Sequence, residues 1–262
     1  MTGLDVGRGD GILRLTLDRP ERRNALDDTT AAALIAELEA ANQDESVRAI
    51  LLTGRGDDFC VGFDLATRDD GGSRPRVGSL QRRLPAQAHR LVSLVCTVQV
   101  PIVAAVRGWA VGLGLHLAVG SDFCVAASDA RLWEPFTARG FTPDSGGTWL
   151  LPRLVGVARA RELLLLGRQL SGAEAASWGL IHAAVDPARV DEEAGALAAR
   201  LAAGPTVALG LTKWLLHEGA GLDLDRHLAN EALALELSSR TADFREAQVA
   251  RRERREPGFE GR

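Results

Sequence analysis

The sequence predicts an α/β fold, and three observations lead to that prediction. The chain has 262 residues, of which 46% are apolar, so it is long enough to bury a sizeable core. Its first half alternates short apolar runs, typical of buried strands, with segments of helical periodicity. Beyond Gly156 the pattern becomes mostly helical. Strands that alternate with helices along a chain are typical of α/β domains.

The first half of the chain carries most of the predicted strands. Residues 11–17, 47–53, 100–106 and 122–126 form short apolar runs of strand length. Between the first two runs, residues 29–42 are predicted to form a helix, because Leu34 and Leu38 fall on one face. Asp27 or Asp28 is available as the N-cap of that helix. A further helix is predicted over residues 80–98.

The second half is predicted to be mostly helical. Helices are expected over residues 157–166, 172–178, 187–203, 205–218, 222–239 and 243–252, with one strand at 180–185. The last helices are rich in Ala and Leu, so we expect them to pack partly against a neighbouring subunit. Residues 69–79 combine Asp, Gly, Ser, Arg and Pro, which predicts a mobile surface loop.

Composition argues against several classes of partner. The charges nearly cancel at a formal net charge of −4, which favours neither nucleic acid nor an anionic membrane as a partner. Three widely spaced cysteines without a C-x-x-C pattern argue against a disulfide framework and a zinc site, and favour a cytoplasmic location. No apolar run is long enough to span a bilayer, and the first residues show no targeting signal.

Two smaller groups of side chains are of types that can bind ligands. An arginine cluster near the end of the chain is either a solvated helix face or a phosphate contact; it comprises Arg251, Arg252, Arg254 and Arg255. The histidines His182, His217 and His227 lack metal-ligand spacing, so neither a metal nor any other external cofactor is expected.

Two glycine-containing turns carry the main chemical signal. Residues 59–65 (FCVGFDL) follow the second predicted strand, and residues 101–118 place Gly108, Gly112 and Gly114 between a strand and a helix. Two converging amide donors, one at a helix N-terminus, stabilise negative charge on a carbonyl oxygen. The glycines match neither the dinucleotide pattern G-x-G-x-x-G nor a Walker motif. The sequence therefore predicts an oxyanion hole.

Four segments resemble motifs of the enoyl-CoA hydratase/isomerase (crotonase) family, in the family's order. They are residues 19–26 (RPERRNAL), 59–65 (FCVGFDL), 101–114 (PIVAAVRGWAVGLG) and 143–148 (PDSGGT). The resemblance implies a crotonase-like spiral fold of repeated ββα units, with a core domain over residues 1–200. It also implies a C-terminal helical trimerisation region over residues 201–262. The expected substrate is an acyl-CoA thioester, and the expected assembly is a trimer or a dimer of trimers.

The resemblance also implies roles for individual residues. The thioester oxygen is expected to accept hydrogen bonds from the backbone N–H groups of Phe63 and Leu113. Leu113 stands where family members commonly carry glycine or alanine. Trp133 and Phe136 match an aromatic acyl pocket, and Phe259 is expected to close over the coenzyme A moiety from a neighbouring subunit. The other residues expected to bind the substrate are Arg22, Arg23, Ala25, Leu26, Cys60, Val61, Asp64, Leu65 and Gly112.

The chain departs from the family's hydratases at two positions. Those hydratases use two glutamates to activate and deliver water, whereas this sequence has His116 and Phe136 at the corresponding places. A phenyl ring transfers no proton, so only weak hydration is expected. A carboxylate is present at Asp144, in a segment that resembles the branch of 1,2-epoxyphenylacetyl-CoA isomerases and related enoyl-CoA isomerases. In that branch an acid here moves a proton between carbons of the acyl chain, so the resemblance implies an enoyl-CoA or ring-opening acyl-CoA isomerase.

Other interpretations of these residues stay open. Asp144 is also placed to cap a helix beginning near Gly146, and His116 fits either a packed core residue or a catalyst. His89 and Asp144 fall where aryl-CoA hydrolytic dehalogenases carry a histidine and a nucleophilic aspartate. In that case His89 or His116 would activate water, although His89 equally fits a solvent-facing position. An acyl-CoA binding protein without turnover and a weak enoyl-CoA hydratase are the remaining alternatives.

Overall fold

The computed structural model describes residues 2–64 and 76–262. Leu65 and residues 69–75 of the predicted loop lie outside the described residues. In chain order the strands are β1 (Leu4–Gly9), β2 (Ile12–Leu17), β3 (Ala49–Gly54), β4 (Ile102–Val106), β5 (Trp109–Val111), β6 (Phe123–Ala127), β7 (Arg131–Trp133), β8 (Leu170–Ser171) and β9 (Ala183–Val185).

The helices pack against these strands, and the last four elements of the chain are all helices. They are α1 (Asp28–Ala41), α2 (Ser79–Arg83), α3 (Ala88–Thr97), α4 (Leu113–Gly120), α5 (Gly147–Leu164), α6 (Gly172–Trp178), α7 (Val190–Ala202), α8 (Thr206–Gly219), α9 (Leu224–Ser238) and α10 (Ala242–Glu253). Asp27 caps α1 by accepting a hydrogen bond from the Thr30 amide, as the sequence predicts.

A six-stranded sheet forms the centre of the core, in the order β1-β2-β3-β4-β6-β9. The hairpin of β1 and β2 is antiparallel, and the other neighbours are parallel. Every residue of β4 is buried, because helices cover a parallel sheet on both faces and leave no solvent side. Helix α7 packs across β3, β4 and β6, while α4 contacts β4 and β6. This arrangement confirms the predicted α/β class.

A smaller sheet, in the order β5-β7-β8, lies beside the large one and was not predicted from the sequence. Its strands have two or three residues each, too few to show a periodic pattern. A parallel bridge between Cys60 and Ala110 connects the turn after β3 to β5. The small sheet therefore holds together the two glycine-containing turns singled out in the sequence.

Three predicted elements differ from those observed. The helix expected over residues 80–98 is divided into α2 and α3 by a 3₁₀ turn, Leu84–Ala86, because Pro85 has no amide to donate. Helix α5 joins the helix expected to begin near Gly146 to the one expected over residues 157–166, with a kink at Gly156, whose φ of 76° is left-handed. The strand expected at 180–185 is reduced to β9, with Leu180 and Ile181 buried ahead of it.

The late helices leave many leucines exposed. Leu216 on α8 is 76% exposed, and Leu224 and Leu235 on α9 are 69% and 66% exposed. In the arginine cluster, Arg255 pairs with Glu246 and is half-exposed, which fits a solvated face. In the described ranges no single helix is long and apolar enough to cross a membrane, although the bent pair Pro187–Ala202 and Thr206–Gly219 passes that test by length and composition.

Candidate active site

The turn after β3 is fixed by backbone hydrogen bonds to β5. The Cys60 amide donates to the Trp109 carbonyl at 3.0 Å, and the Val111 amide donates to the Cys60 carbonyl at 2.9 Å. Gly62, with a φ of 88°, reverses the chain directly before Phe63. The turn is therefore held against the strand that leads into α4.

The start of α4 lies against the same turn. Gly112 precedes the helix with a φ of 52°, and Leu113 is its first residue. A Cβ at Gly114 would stand 2.2 Å from the Cys60 carbonyl oxygen, and a Cβ at Gly62 would stand 3.7 Å from the Leu113 nitrogen. At residue 114, only glycine allows so close an approach of the two backbones. The Leu113 amide belongs to the first helical turn, whose N–H groups have no partner within the helix.

Both turns line one narrow inner cavity of about 40 Å³, which they share with side chains from the loop before α5. The inner cavity is lined by Val61, Gly62, Phe63, Val111, Gly112, Leu113, Pro135, Phe136, Arg139, Phe141 and Asp144. Two amide-bearing turns and one carboxylate thus face a common space. An anionic oxygen placed between the turns would meet the positive end of the α4 dipole.

An outer cavity of about 420 Å³ adjoins the inner one, since Val61, Phe63, Val111 and Arg139 line both. Its size is that of a ligand site. The remaining residues that line it are Arg22, Arg23, Ala25, Asp64, Trp109 and Trp133. Most of the residues predicted to bind the coenzyme A moiety therefore surround one space, next to the inner cavity.

Three of the predicted binding residues make contacts within the protein that shape the site, namely Leu26, Cys60 and Asp64. Leu26 and Cys60 are fully buried, and Leu26 pairs with Phe63 in a parallel bridge. The Asp64 carboxylate accepts from Arg19 Nη2 at 3.0 Å, while Arg19 Nη1 donates to the Ala25 carbonyl at 2.5 Å. This ion pair connects the two predicted binding segments.

The aromatic residues predicted for the site occupy different places. Phe136 lines the inner cavity, whereas Trp133 lines the outer one and donates from Nε1 to the Gly167 carbonyl at 3.0 Å. Phe259 lines neither cavity, and its carbonyl accepts from Arg48 Nη2 at 3.1 Å. Its contact with a neighbouring subunit stays a prediction.

Asp144 is half-buried and lines the inner cavity. Helix α5 is preceded by Gly146, without a side-chain capping bond, so Asp144 does not cap it. Instead, the Ser145 hydroxyl donates to Asp144 Oδ1 at 3.0 Å. His89 Nε2 lies 2.8 Å from the Asp144 carbonyl oxygen, and the His89 side chain is otherwise exposed.

His116 is fully buried and does not line the inner cavity. Its Nδ1 lies 2.8 Å from Ser145 Oγ, and its Nε2 lies 2.8 Å from Glu134 Oε1. The ring stacks on Phe136, with centroids 6.0 Å apart and planes 8° from parallel. Phe136 therefore stands at the cavity wall while His116 lies behind it.

Comparison with known proteins identifies the family. Residues 7–262 match the family model described as enoyl-CoA hydratase/isomerase. The chain belongs to the enoyl-CoA hydratase/isomerase family. It is 41% identical over 255 residues to the 1,2-epoxyphenylacetyl-CoA isomerase of Escherichia coli (strain K12), covering 96% of each chain. It is 33% identical over 246 residues to the crotonyl-CoA hydratase of Syntrophomonas wolfei, covering 94% of this chain and 93% of that one.

The fold agrees with this assignment. A crystal structure of an enoyl-CoA hydratase from Bacillus anthracis is similar at a TM-score of 0.90 and 30% identity, covering 99% of this chain and 100% of that one. Enzymes of the enoyl-CoA hydratase/isomerase family act on acyl-CoA thioesters, and this chain is an enzyme of that family. Within residues 2–64 and 76–262, no group of three or more His, Cys, Asp or Glu side chains is arranged to hold a metal ion.

Family motifs alone did not reveal four residues of this site. Arg139 and Phe141 line the inner cavity, and Glu134 and Ser145 hydrogen-bond to His116. The one available signal is the charge of Glu134, which stands between the predicted pocket residues Trp133 and Phe136. A buried carboxylate needs a partner, and the fold provides His116 from 18 positions away.

Proposed function

We propose that this enzyme is an acyl-CoA isomerase in which Asp144 moves a proton between carbons of the acyl group. One observation carries the proposal. Among the described residues that line the inner cavity, Asp144 is the only carboxylate, and it faces the same space as the Phe63 and Leu113 turns. The 41% identity to an enzyme named for an isomerase reaction supports this choice.

The reaction proceeds through an enolate. Asp144 accepts a proton from an acidic carbon of the acyl chain: one C–H bond breaks, one O–H bond forms, and the electron pair stays on the substrate. The charge then resides largely on the thioester oxygen, where the amides of Phe63 and Leu113 stabilise it. Return of the proton to a different carbon completes the isomerisation and restores the carboxylate.

The residues at the positions of the two hydratase glutamates support isomerisation over hydration. Phe136 occupies one of the two positions where family hydratases carry a glutamate, and His116, at the other, lies behind it. Neither group is placed to deliver water to a substrate in the inner cavity. The site retains the means to form an enolate and one group to move a proton.

Asp144→Asn tests the proposal directly. The amide keeps the size of the side chain but accepts no proton, so exchange of substrate C–H for deuterium from the solvent should fall by about 100-fold or more. Acyl-CoA affinity should stay within a few fold. Asp10→Asn is the matched control, because Asp10 is exposed in the β1–β2 turn with a φ of 52° that asparagine tolerates. Wild-type exchange in the Asp144 variant would refute the proposal.

The contact of His89 with the Asp144 carbonyl gives a second candidate function. Asp144 would attack an activated aryl carbon of an aryl-CoA and displace its leaving group, and water activated by His89 would hydrolyse the resulting ester. Mass spectrometry of the enzyme after a single turnover with a halogenated aryl-CoA separates the two chemistries. An aryl ester on Asp144 supports the second candidate. Tight binding of every acyl-CoA tested, without a product, would favour a binding protein instead.

A further inference from the structure

A buried polar chain lies directly behind Asp144. It runs from Glu134 through His116 and Ser145 to the Asp144 carboxylate, with successive distances of 2.8, 2.8 and 3.0 Å. Glu134 is 1% exposed, His116 0% and Ser145 1%. These three residues are called the buried trio below.

The charge of the buried trio follows from its burial. Glu134 Oε2 has no hydrogen-bond partner among the described residues, so His116 is the group that compensates the Glu134 carboxylate. A net charge on groups buried away from water costs free energy. A Glu134–His116 pair that shares one extra proton is neutral overall. The pair therefore holds two protons between Glu134 and the two nitrogens of His116.

This proton count fixes the direction of every hydrogen bond in the chain. If the shared proton resides on His116, both ring nitrogens donate. If it resides on Glu134, the carboxylic acid donates to Nε2, and Nδ1 again carries the hydrogen. In both cases Nδ1 donates to Ser145 Oγ. The Ser145 hydroxyl has a single hydrogen, which must then point to Asp144 Oδ1.

We propose that the buried trio acts as a positioning device that keeps a hydrogen-bond donor on Asp144 and so favours its carboxylate, the form that accepts a proton. This inference rests on the proposed function. Because Oδ1 already accepts from Ser145, the proton taken from the substrate resides on Oδ2 and leaves from there to the second carbon. Glu134, His116 and Ser145 act through Asp144 without touching the substrate.

Other charged and titratable groups approach the same residues from neighbouring elements. Arg139, in the 3₁₀ turn Thr137–Arg139, lines the inner cavity with Asp144, and His89 on α3 contacts the Asp144 carbonyl. Among the described residues, the group hydrogen-bonded to the Asp144 carboxylate is the Ser145 hydroxyl. Gly147 leaves room for the trio, because a Cβ there would stand 2.4 Å from His116 Nε2.

The first test is the pH dependence of Ser145→Ala. Loss of the donor should raise the pH at which kcat/KM is half-maximal on the acidic side by about one unit, roughly tenfold in proton affinity. KM should stay within a few fold, because Ser145 does not line the inner cavity. Ser121→Ala is the matched control: Ser121 is buried at the C-terminal end of α4 and donates to the Leu117 carbonyl at 2.8 Å. An unchanged pH profile in Ser145→Ala would overturn the proposal.

The second test observes the proton itself. With ¹⁵N-labelled histidine, Nδ1 of His116 should carry a hydrogen throughout the pH range of activity, and the chain's five histidines keep the spectrum simple. The ¹⁵N signal that disappears in His116→Gln is the one that belongs to His116. An Nδ1 without hydrogen would overturn the inference, because Ser145 would then donate to His116.

Asp144→Asn separates this inference from the proposed function. If that variant exchanges substrate protons at the wild-type rate, the proposed function fails, and this inference fails with it. If Asp144→Asn loses exchange while Ser145→Ala keeps the wild-type pH profile, the inference alone fails. Loss of exchange in the first variant and a shifted profile in the second support both.

Discussion

Gly114→Ala should damage the oxyanion hole while sparing the fold. The new Cβ would stand 2.2 Å from the Cys60 carbonyl oxygen, whereas real contacts of this kind essentially never fall below 3.0 Å. The turn after β3 and the start of α4 must therefore separate by about 0.8 Å. Misplacement of about 1 Å costs on the order of 100-fold in rate, and loss of one oxyanion donor costs about 100- to 1,000-fold in kcat. We expect kcat to fall about 100-fold.

The assay is the rate of solvent-deuterium incorporation into a saturating acyl-CoA, with the unfolding temperature measured in parallel. Overpacking costs about 1–3 kcal/mol, so the variant should fold but melt earlier than the wild type. Gly120→Ala is the matched control at the other end of α4. A Cβ there would stand 3.4 Å from Cys96 Sγ, an ordinary contact, and the rate should be unchanged. A folded Gly114→Ala enzyme with the wild-type kcat would refute the assignment of these turns as the oxyanion hole.

Three further predictions concern the reaction, the assembly and the thiols. Crotonyl-CoA hydration should be at least about 100-fold slower than isomerisation in a coupled assay, because His116 and Phe136 stand where family hydratases carry their two glutamates; rapid hydration would show that His116 and Asp144 together replace a glutamate pair. Sedimentation should give three or six times the chain mass, since α8 and α9 expose many leucines; a stable monomer at micromolar concentration would contradict this. Burial raises the pKa of the Cys60 and Cys124 thiols to about 12, so their thiolate fraction at pH 8 is about a thousandfold below that of an ordinary thiol. A disulfide reagent should therefore modify them quickly only after unfolding, and fast labelling of the native enzyme would show that the core opens.

The sequence predicted the elements that carry their own pattern. Helix α6 was expected at residues 172–178 and spans Gly172–Trp178, and the buried parallel strands were located to within two residues. Strands β5, β7 and β8 were missed, because strands of two or three residues are defined by their neighbours rather than by their own periodicity. The break at Pro85 was missed because helical periodicity continues across it. The sequence did separate a helix beginning near Gly146 from one beginning at residue 157, which lie on either side of the kink at Gly156.

In the candidate site, too, features with a local sequence pattern could be predicted and the others could not. That the glycine turns before Phe63 and Leu113 line one cavity could be predicted, because the turns have a local signature and match family motifs. The role of their amides as an oxyanion hole stays a prediction. The buried trio was not, because its members come from a helix, a loop and a second loop, and no local rule requires them to meet. The interpretation of Asp144 as a helix cap was wrong, since Gly146 stands between it and the helix.

The pairing of His116 with Glu134 constrains the evolutionary routes open to this chain. Conversion to a two-glutamate hydratase requires carboxylates in place of His116 and Phe136. His116→Glu alone would set a second buried carboxylate beside Glu134, whose Oε1 now lies 2.8 Å from the imidazole, and two such groups cannot both ionise. Glu134 must therefore change first or together with His116, so the effects of these substitutions are strongly non-additive. A laboratory selection for hydratase activity should therefore recover changes at Glu134 before any glutamate survives in place of His116.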